Sequence, residues 1–264
     1  MKKCYQIILF GLFLFHINLS AQAADFLGTV KINGCSGSLV RFNFSHGTDQ
    51  ALVLSAGHCA AANLKPHIYV YYMDVFHPVK FLNSNGRIIS HSSHAIELLY
   101  ATMERTDIAL YALDETFSEI EMQTGVKALT ISNTDPRAGE EITIISSQLE
   151  KIYSCSIEKI VYQLIEGDYT WLGSLRYSQT GCEVSGGTSG SPILNSLGQL
   201  IGLNNTGNTG GRACADGSPC EKNEAGLIYS KAGLNYGQKV NLISTCFNRH
   251  HEFDLTTPDC ELFF

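Results

Sequence analysis

Gly187-Thr188-Ser189-Gly190-Ser191-Pro192 carries two hydroxyls, Thr188 and Ser189, between two glycines at the head of an apolar run, Ile193-Leu194. A side chain at 187 would obstruct a turn in which backbone N–H groups point inward together, and a glycine at 190 lets the chain leave that turn closely packed. Pro192 cannot donate to a ladder and reads as the first residue of a strand. The stretch therefore predicts a side chain mounted at the end of a β-strand.

Working outward, short runs rich in Val, Ile, Leu, Tyr and Thr recur between turn clusters. They are Gly28 to Ile32, Ser38 to Phe44, Ala51 to Ser55, Ile68 to Tyr72, Arg87 to Ser90, Ile108 to Leu113, Glu141 to Ser146, Ile157 to Tyr162, Ser191 to Leu194, Gln199 to Leu203 and Gly226 to Tyr229. Asn85-Gly86, Asp135-Pro136, Ala138-Gly139 and Leu197-Gly198 supply turn chemistry between them. Helical periodicity is scarce, so the fold class is all-β, a barrel or sandwich. A polar stretch from Asp114 to Lys127 reads as a connection between two β halves. Val240, Ile243 and Phe247 fall on one face of a short C-terminal helix.

Two further segments end strand-like runs: Leu54-Ser55-Ala56-Gly57-His58-Cys59 and Thr106-Asp107-Ile108-Ala109-Leu110. Taken singly each has an ordinary explanation, as a core histidine, a strand-capping aspartate or a β-turn. Together they offer one serine, one histidine and one aspartate. A serine hydroxyl is too weakly acidic to attack a carbonyl unaided, so an imidazole must take its proton and return it to the leaving group. A buried carboxylate on the other ring nitrogen fixes the tautomer.

The three segments, in the order His58, Asp107, Ser189, resemble the motifs of the chymotrypsin/trypsin-like serine proteases, and the similarity runs over nearly the whole chain beyond residue 23. It is similar to the bacterial secreted branch that includes the glutamyl endopeptidases. The resemblance implies two six-stranded antiparallel β-barrels, about 24–120 and about 126–239, with the active site between them and a terminal segment, 240–264. It implies His58 as general base, Asp107 as its orienting partner and Ser189 as nucleophile, with Gly187 and Ser189 donating to the oxyanion. Gly34-Cys35-Ser36-Gly37-Ser38-Leu39-Val40 resembles the family strand whose half-cystine joins the one after the histidine, implying a Cys35–Cys59 bridge.

Zymogen-activated members carry aspartate before the nucleophile, to pair with a freed N-terminus; here Thr188 stands there, and the expected mature start, Ala24-Asp25-Phe26, lacks the Ile-Val-Gly-Gly pattern. The resemblance then implies an oxyanion loop shaped by hydrogen bonds. Glu183 matches by count an acid that selects Lys or Arg, though a displaced Cys182 leaves it free to face solvent instead. Asn204, where glutamate-specific members have histidine, joins Asn205, Thr206, Gly207 and Gly226 as expected substrate-binding residues. Asn205 falls where many relatives have a serine supporting the aspartate. Cys155 with Cys182, Cys214 with Cys220 and Cys246 with Cys260 are the implied remaining pairs, with Cys182–Cys220 a competitor.

Met1-Lys2-Lys3, the apolar run from Tyr5 to Leu19 and Ser20-Ala21-Gln22-Ala23 read as a signal peptide over residues 1–23, cleaved after Ala23. The eight cysteines beyond it, in a chain addressed to an oxidising compartment, favour disulfides over zinc. Secretion or a periplasmic location is expected, without membrane attachment after signal removal. With 18 Lys and Arg against 25 Asp and Glu, nothing favours nucleic acid. His91 with His94, and His250-His251 with Glu252 and Asp254, show no third metal ligand, so no metal and no cofactor are expected. The expected protein is a monomeric domain, 24–264, that hydrolyses polypeptide through an acyl-enzyme. A silent binding protein on the same fold and an esterase using the same three residues are the alternatives.

Overall fold

The computed structural model describes residues 24–60 and 64–262, so the signal segment lies outside the described residues. Six strands, β1 (Thr29–Ile32), β2 (Cys35–Arg41), β3 (Gln50–Ser55), β4 (Tyr69–Phe81), β5 (Ser93–Thr102) and β6 (Ile108–Thr116), form the first sheet. Their order, β1-β4-β5-β6-β3-β2, closes into a ring because β2 pairs back onto β1, with Val30 opposite Gly37. Closure leaves no edge strand to protect. Ala51 to Ser55 and Ile108 to Leu113 are buried on both faces, which is why they read as unbroken apolar runs rather than as alternations.

Helix α1 (Phe117–Thr124) follows, in the polar stretch read from sequence only as a connection. Its signal is a capping box: the Thr116 hydroxyl accepts from the Glu119 amide at 3.3 Å, and the Glu119 carboxylate accepts from the Thr116 amide at 2.8 Å. Gly125 ends it at φ 71°. Strand β7 (Leu129–Thr130) then pairs in parallel with β2, so the first sheet reaches past residue 126, where the sequence reading began the second barrel.

The second sheet contains β8 (Glu141–Ser146), β9 (Lys151–Glu166), β10 (Tyr169–Tyr177), β11 (Pro192–Asn195), β12 (Leu200–Gly207), β13 (Cys220–Lys222), β14 (Ile228–Tyr229) and β15 (Asn235–Lys239). The strands β10-β15-β12-β11-β8-β9 close a second six-stranded ring through the β9–β10 pairing, and β13 and β14 hang from β9. The chain therefore folds as the double β-barrel expected from its motifs.

Differences from the sequence reading have local causes. The strand beside β12 is β15, not Gly226–Tyr229; the latter segment's apolar residues, Leu227 and Ile228, face solvent in the outlying β13–β14 hairpin. Arg87 to Ser90 forms only a bridge at Ile88. The terminal helix is a 3₁₀ stretch, Asn241–Cys246, with Ile243 and Cys246 buried. Disulfides join Cys35–Cys59, Cys155–Cys182, Cys214–Cys220 and Cys246–Cys260, which removes Cys182–Cys220.

Ser36 pins the two barrels together. Its amide donates to the Ser189 carbonyl at 3.0 Å, and its hydroxyl accepts from the Gln148 amide at 3.1 Å.

Candidate active site

His58 lies in the 3₁₀ turn Gly57–Cys59 that ends β3. A Cβ on Gly57 would meet the Thr102 carbonyl at 2.0 Å and Asp107 Oδ1 at 2.9 Å; without a side chain there, the turn presses against the start of β6. Asp107 immediately precedes β6 and is fully buried. Its Oδ1 accepts from the His58 amide at 2.8 Å, and its Oδ2 lies 2.6 Å from His58 Nδ1. A carboxylate on that nitrogen places the proton on Nδ1 and leaves Nε2 free to accept. Asp107's charge and its hydrogen bond raise the His58 pKa against the lowering effect of burial, and Glu166 adds a smaller upward push.

Ser189 approaches from the second barrel at the head of β11. Gly187 and Gly190 have φ of 94° and 74°, a region closed to most side chains. A Cβ on Gly190 would strike the Ser36 carbonyl at 2.2 Å and Ser55 Oγ at 2.5 Å, so the Ser189 turn can seat on the first barrel only with glycine there. Among the described residues no group accepts from the Gly187 or Ser189 amide, and both remain available to a ligand.

Thr188, in place of the aspartate of the activated relatives, is held from beneath. Its hydroxyl donates to the Ser185 carbonyl at 2.7 Å and accepts from Asn204 Nδ2 at 2.9 Å. Tyr177 donates in turn to Asn204 Oδ1 at 3.2 Å. Asn204 is thus a support of the loop as much as a wall of the site.

A cleft of about 410 Å³ gathers His58, Ser189, Asn204, Asn205, Thr206 and Gly207. Two expected substrate-binding residues lie elsewhere. Glu183 is exposed and accepts from the Gly181 amide at 3.2 Å, because the Cys155–Cys182 bridge turns the chain outward ahead of it. Gly226 sits in the exposed turn between β13 and β14. Gly187 stands on the exposed turn between the lining residues Gly186 and Thr188. The buried Asn205 Nδ2 has no hydrogen-bond partner among the described residues, so it does not support Asp107.

Sequence reasoning missed the carboxylates of the cleft. Glu166 ends β9 and Asp216 lies inside the loop closed by Cys214–Cys220; both line the cavity. The Gly217 amide donates to Glu166 Oε1 at 2.7 Å, which docks that loop on the β9–β10 hairpin. Burial raises the Glu166 pKa, and Asp216's charge adds to it, against hydrogen bonds from Thr206 and Gly217 and the attraction of His58. The available signal was the two-residue turn Gly167-Asp168, which marks a hairpin ending at Glu166.

Residues 35–203 match the trypsin-like peptidase domain family, and the chain belongs to it. Among solved structures, the MamO protease domain from Magnetospirillum magneticum superposes with a TM-score of 0.51 at 14% identity, covering 86% of this chain and 98% of that one. A serine endoprotease from Yersinia pestis gives a TM-score of 0.47 at 16% identity, covering 84% and 62%. The likeness to MamO supports the double-barrel fold. Comparison with curated proteins finds no match.

Proposed function

We propose that the chain is a serine endopeptidase, on the strength of one observation above the rest: a fully buried Asp107 at 2.6 Å from His58 Nδ1, in a cleft His58 shares with Ser189. Ser189 Oγ attacks the scissile carbonyl as His58 Nε2 takes its proton, and the Gly187 and Ser189 amides receive the oxyanion. The imidazolium returns the proton to the leaving amine, and water then hydrolyses the acyl-enzyme by the same relay in reverse. No cofactor is required. The Thr188–Asn204–Tyr177 chain supports the nucleophile loop without an inserted N-terminus. With residues 1–23 read as a signal and four disulfides in place, the enzyme works in the periplasm or outside the cell. A fluorophosphonate should label Ser189 in the oxidised protein; absence of both labelling and casein cleavage would sink the proposal.

The pH dependence has a fixed sign. Catalysis needs neutral His58, so kcat/KM should rise with pH through an apparent pKa above the ordinary imidazole value of about 6.5. The same raised pKa makes His58 stabilising below its unfolded-state value, and that stability is lost as pH climbs through the folded one. A pH–rate profile whose acid limb falls below the ordinary value would contradict this.

Glu166 and Asp216 give the cleft a negative wall, and among the described residues no Lys or Arg lines it. The reading therefore includes a preference for Lys or Arg beside the scissile bond, through these two carboxylates rather than Glu183. Glu166→Gln should weaken cleavage of basic substrates by roughly fivefold to tenfold, about 1 kcal/mol for a partly screened charge pair. It should also shift the acid limb to lower pH, because Glu166 helps hold the His58 pKa up. A peptide-library profile unchanged by the substitution would place the basic side chain elsewhere.

A further inference from the structure

We propose that His46, Asp49 and His251 form a site for a divalent transition-metal ion of the zinc class, clasping the C-terminal segment to the first barrel. The three bring one ligand atom each to within 4.8 Å of the others, although some two hundred residues separate the first two from the third. His251 Nδ1 already stands 3.1 Å from Asp49 Oδ2. With zinc–ligand bonds of about 2.0–2.2 Å, neighbouring ligands of a tetrahedral ion lie roughly 3.3–3.6 Å apart, so this pair stands a few tenths of an ångström short of the required spacing. The His46 ring meets the His251 ring edge-on at 4.8 Å between centroids. His46 is exposed, which leaves its side chain room to rotate in.

An ion pair between His251 and Asp49 explains two of these residues and leaves the second imidazole without a role. The support around them is that of a built site. The His46 amide donates to Asp49 Oδ2 at 2.7 Å, orienting the carboxylate as outer-shell donors do at metal centres. His251 has φ 63°, and Asn248 holds that turn by accepting from the His250 amide at 2.8 Å and the Glu252 amide at 3.2 Å. Phe44 packs on the His251 ring at 5.2 Å, and the Cys246–Cys260 bridge ties the segment at both ends.

The electrostatic setting is a separate argument. Asp49, His251 and His250 line a cavity of about 310 Å³ with Glu97 and Glu252, and among the described residues no Lys or Arg lines it. Three carboxylates facing one cavity favour a cation. Two imidazoles and a carboxylate select zinc-like ions over calcium or magnesium, which prefer oxygen donors. The remaining coordination positions open to water. The ion would fasten the terminal segment without touching the cleft, and this inference is independent of the proposed peptidase activity.

The test uses the oxidised full-length mature chain, stripped with a chelator and titrated with zinc alone, followed by calorimetry and thermal unfolding. One equivalent should bind, raising Tm by about 5–10 °C at a hundredfold excess over Kd, and cobalt should give a visible ligand-field spectrum. His46→Ala and Asp49→Asn should each weaken zinc binding on the order of tenfold or more. Should His251→Ala fail to fold, His46→Ala at its exposed position decides. No zinc-dependent rise in Tm would overturn the proposal, as would the same affinity and stoichiometry in His46→Ala, which would mark an adventitious ion only.

Discussion

Ser189→Ala is expected to lower kcat on the order of a millionfold while leaving KM and the fold close to those of the parent. The magnitude follows from the proposed mechanism, in which the three residues act as one unit: without the hydroxyl, His58 would have no proton to take and no acyl-enzyme would form. What survives is the contribution of the cleft and the two oxyanion amides acting on water, typically about 10³–10⁴ over the uncatalysed rate. The fold should persist because the structural work at this position belongs to the backbone. The Ser189 carbonyl, not its hydroxyl, accepts from the Ser36 amide at 3.0 Å and ties the barrels together. Single-turnover and steady-state hydrolysis of one fluorogenic peptide, run beside a thermal melt, measure both halves. Turnover comparable to the parent would move the nucleophile elsewhere, and a collapsed melt would show that the hydroxyl holds the fold.

What could be read from sequence divides along a physical line. His58, Asp107 and Ser189 stood out because the chemistry needs fixed residue types at the ends of strands, and because Gly57 and Gly190 occupy places where a Cβ would lie 2.0 and 2.2 Å from a backbone carbonyl. Constraints of that kind leave short, dense motifs. The strands were most legible where they are buried on both faces, as in β3 and β6. Strand β15 was not, because Asn235-Tyr236-Gly237-Gln238-Lys239 has no apolar run. Its place is set by pairing with β12, Gly202 opposite Lys239 and Gly207 opposite Asn235, a tertiary requirement with no local signature. The apolar run Gly226 to Tyr229, read from sequence as a strand, is instead part of an exposed hairpin, with Leu227 and Ile228 facing solvent.

The walls of the cleft were less legible for the same reason. Glu183 was expected by counting back from Ser189, a method that assumes a loop length the Cys155–Cys182 bridge does not keep. Glu166 and Asp216 reach the cleft from a hairpin end and from the loop closed by Cys214–Cys220, and they meet because the Gly217 amide caps the Glu166 carboxylate. Asn204 was read as a wall residue and is chiefly a buried hydrogen-bond hub: its amide group serves Thr188 and its oxygen serves Tyr177. The lone hydroxyl of Thr188 can therefore hold a loop that activated relatives hold by an ion pair.

Asp107→Asn should cost on the order of 10⁴ in kcat with little change in the backbone around His58. The buried carboxylate takes two hydrogen bonds from one residue, the His58 amide at 2.8 Å and the ring Nδ1 at 2.6 Å. An asparagine can satisfy only one of them with its oxygen. If the oxygen keeps the amide, the side-chain NH₂ faces Nδ1 and can bond only to an unprotonated nitrogen, so the ring proton moves to Nε2. His58 then presents a donor where Ser189 needs an acceptor, and the relay stops before its first step. The same substitution removes the largest cause of the raised His58 pKa. The acid limb of any residual activity should therefore move to lower pH, an effect that a merely loosened fold would not produce. NMR titration of the His58 ring in parent and variant reads both the tautomer and the shift. A variant within tenfold of parental kcat, or one whose His58 titrates as before, would show that Asp107 does not govern this imidazole.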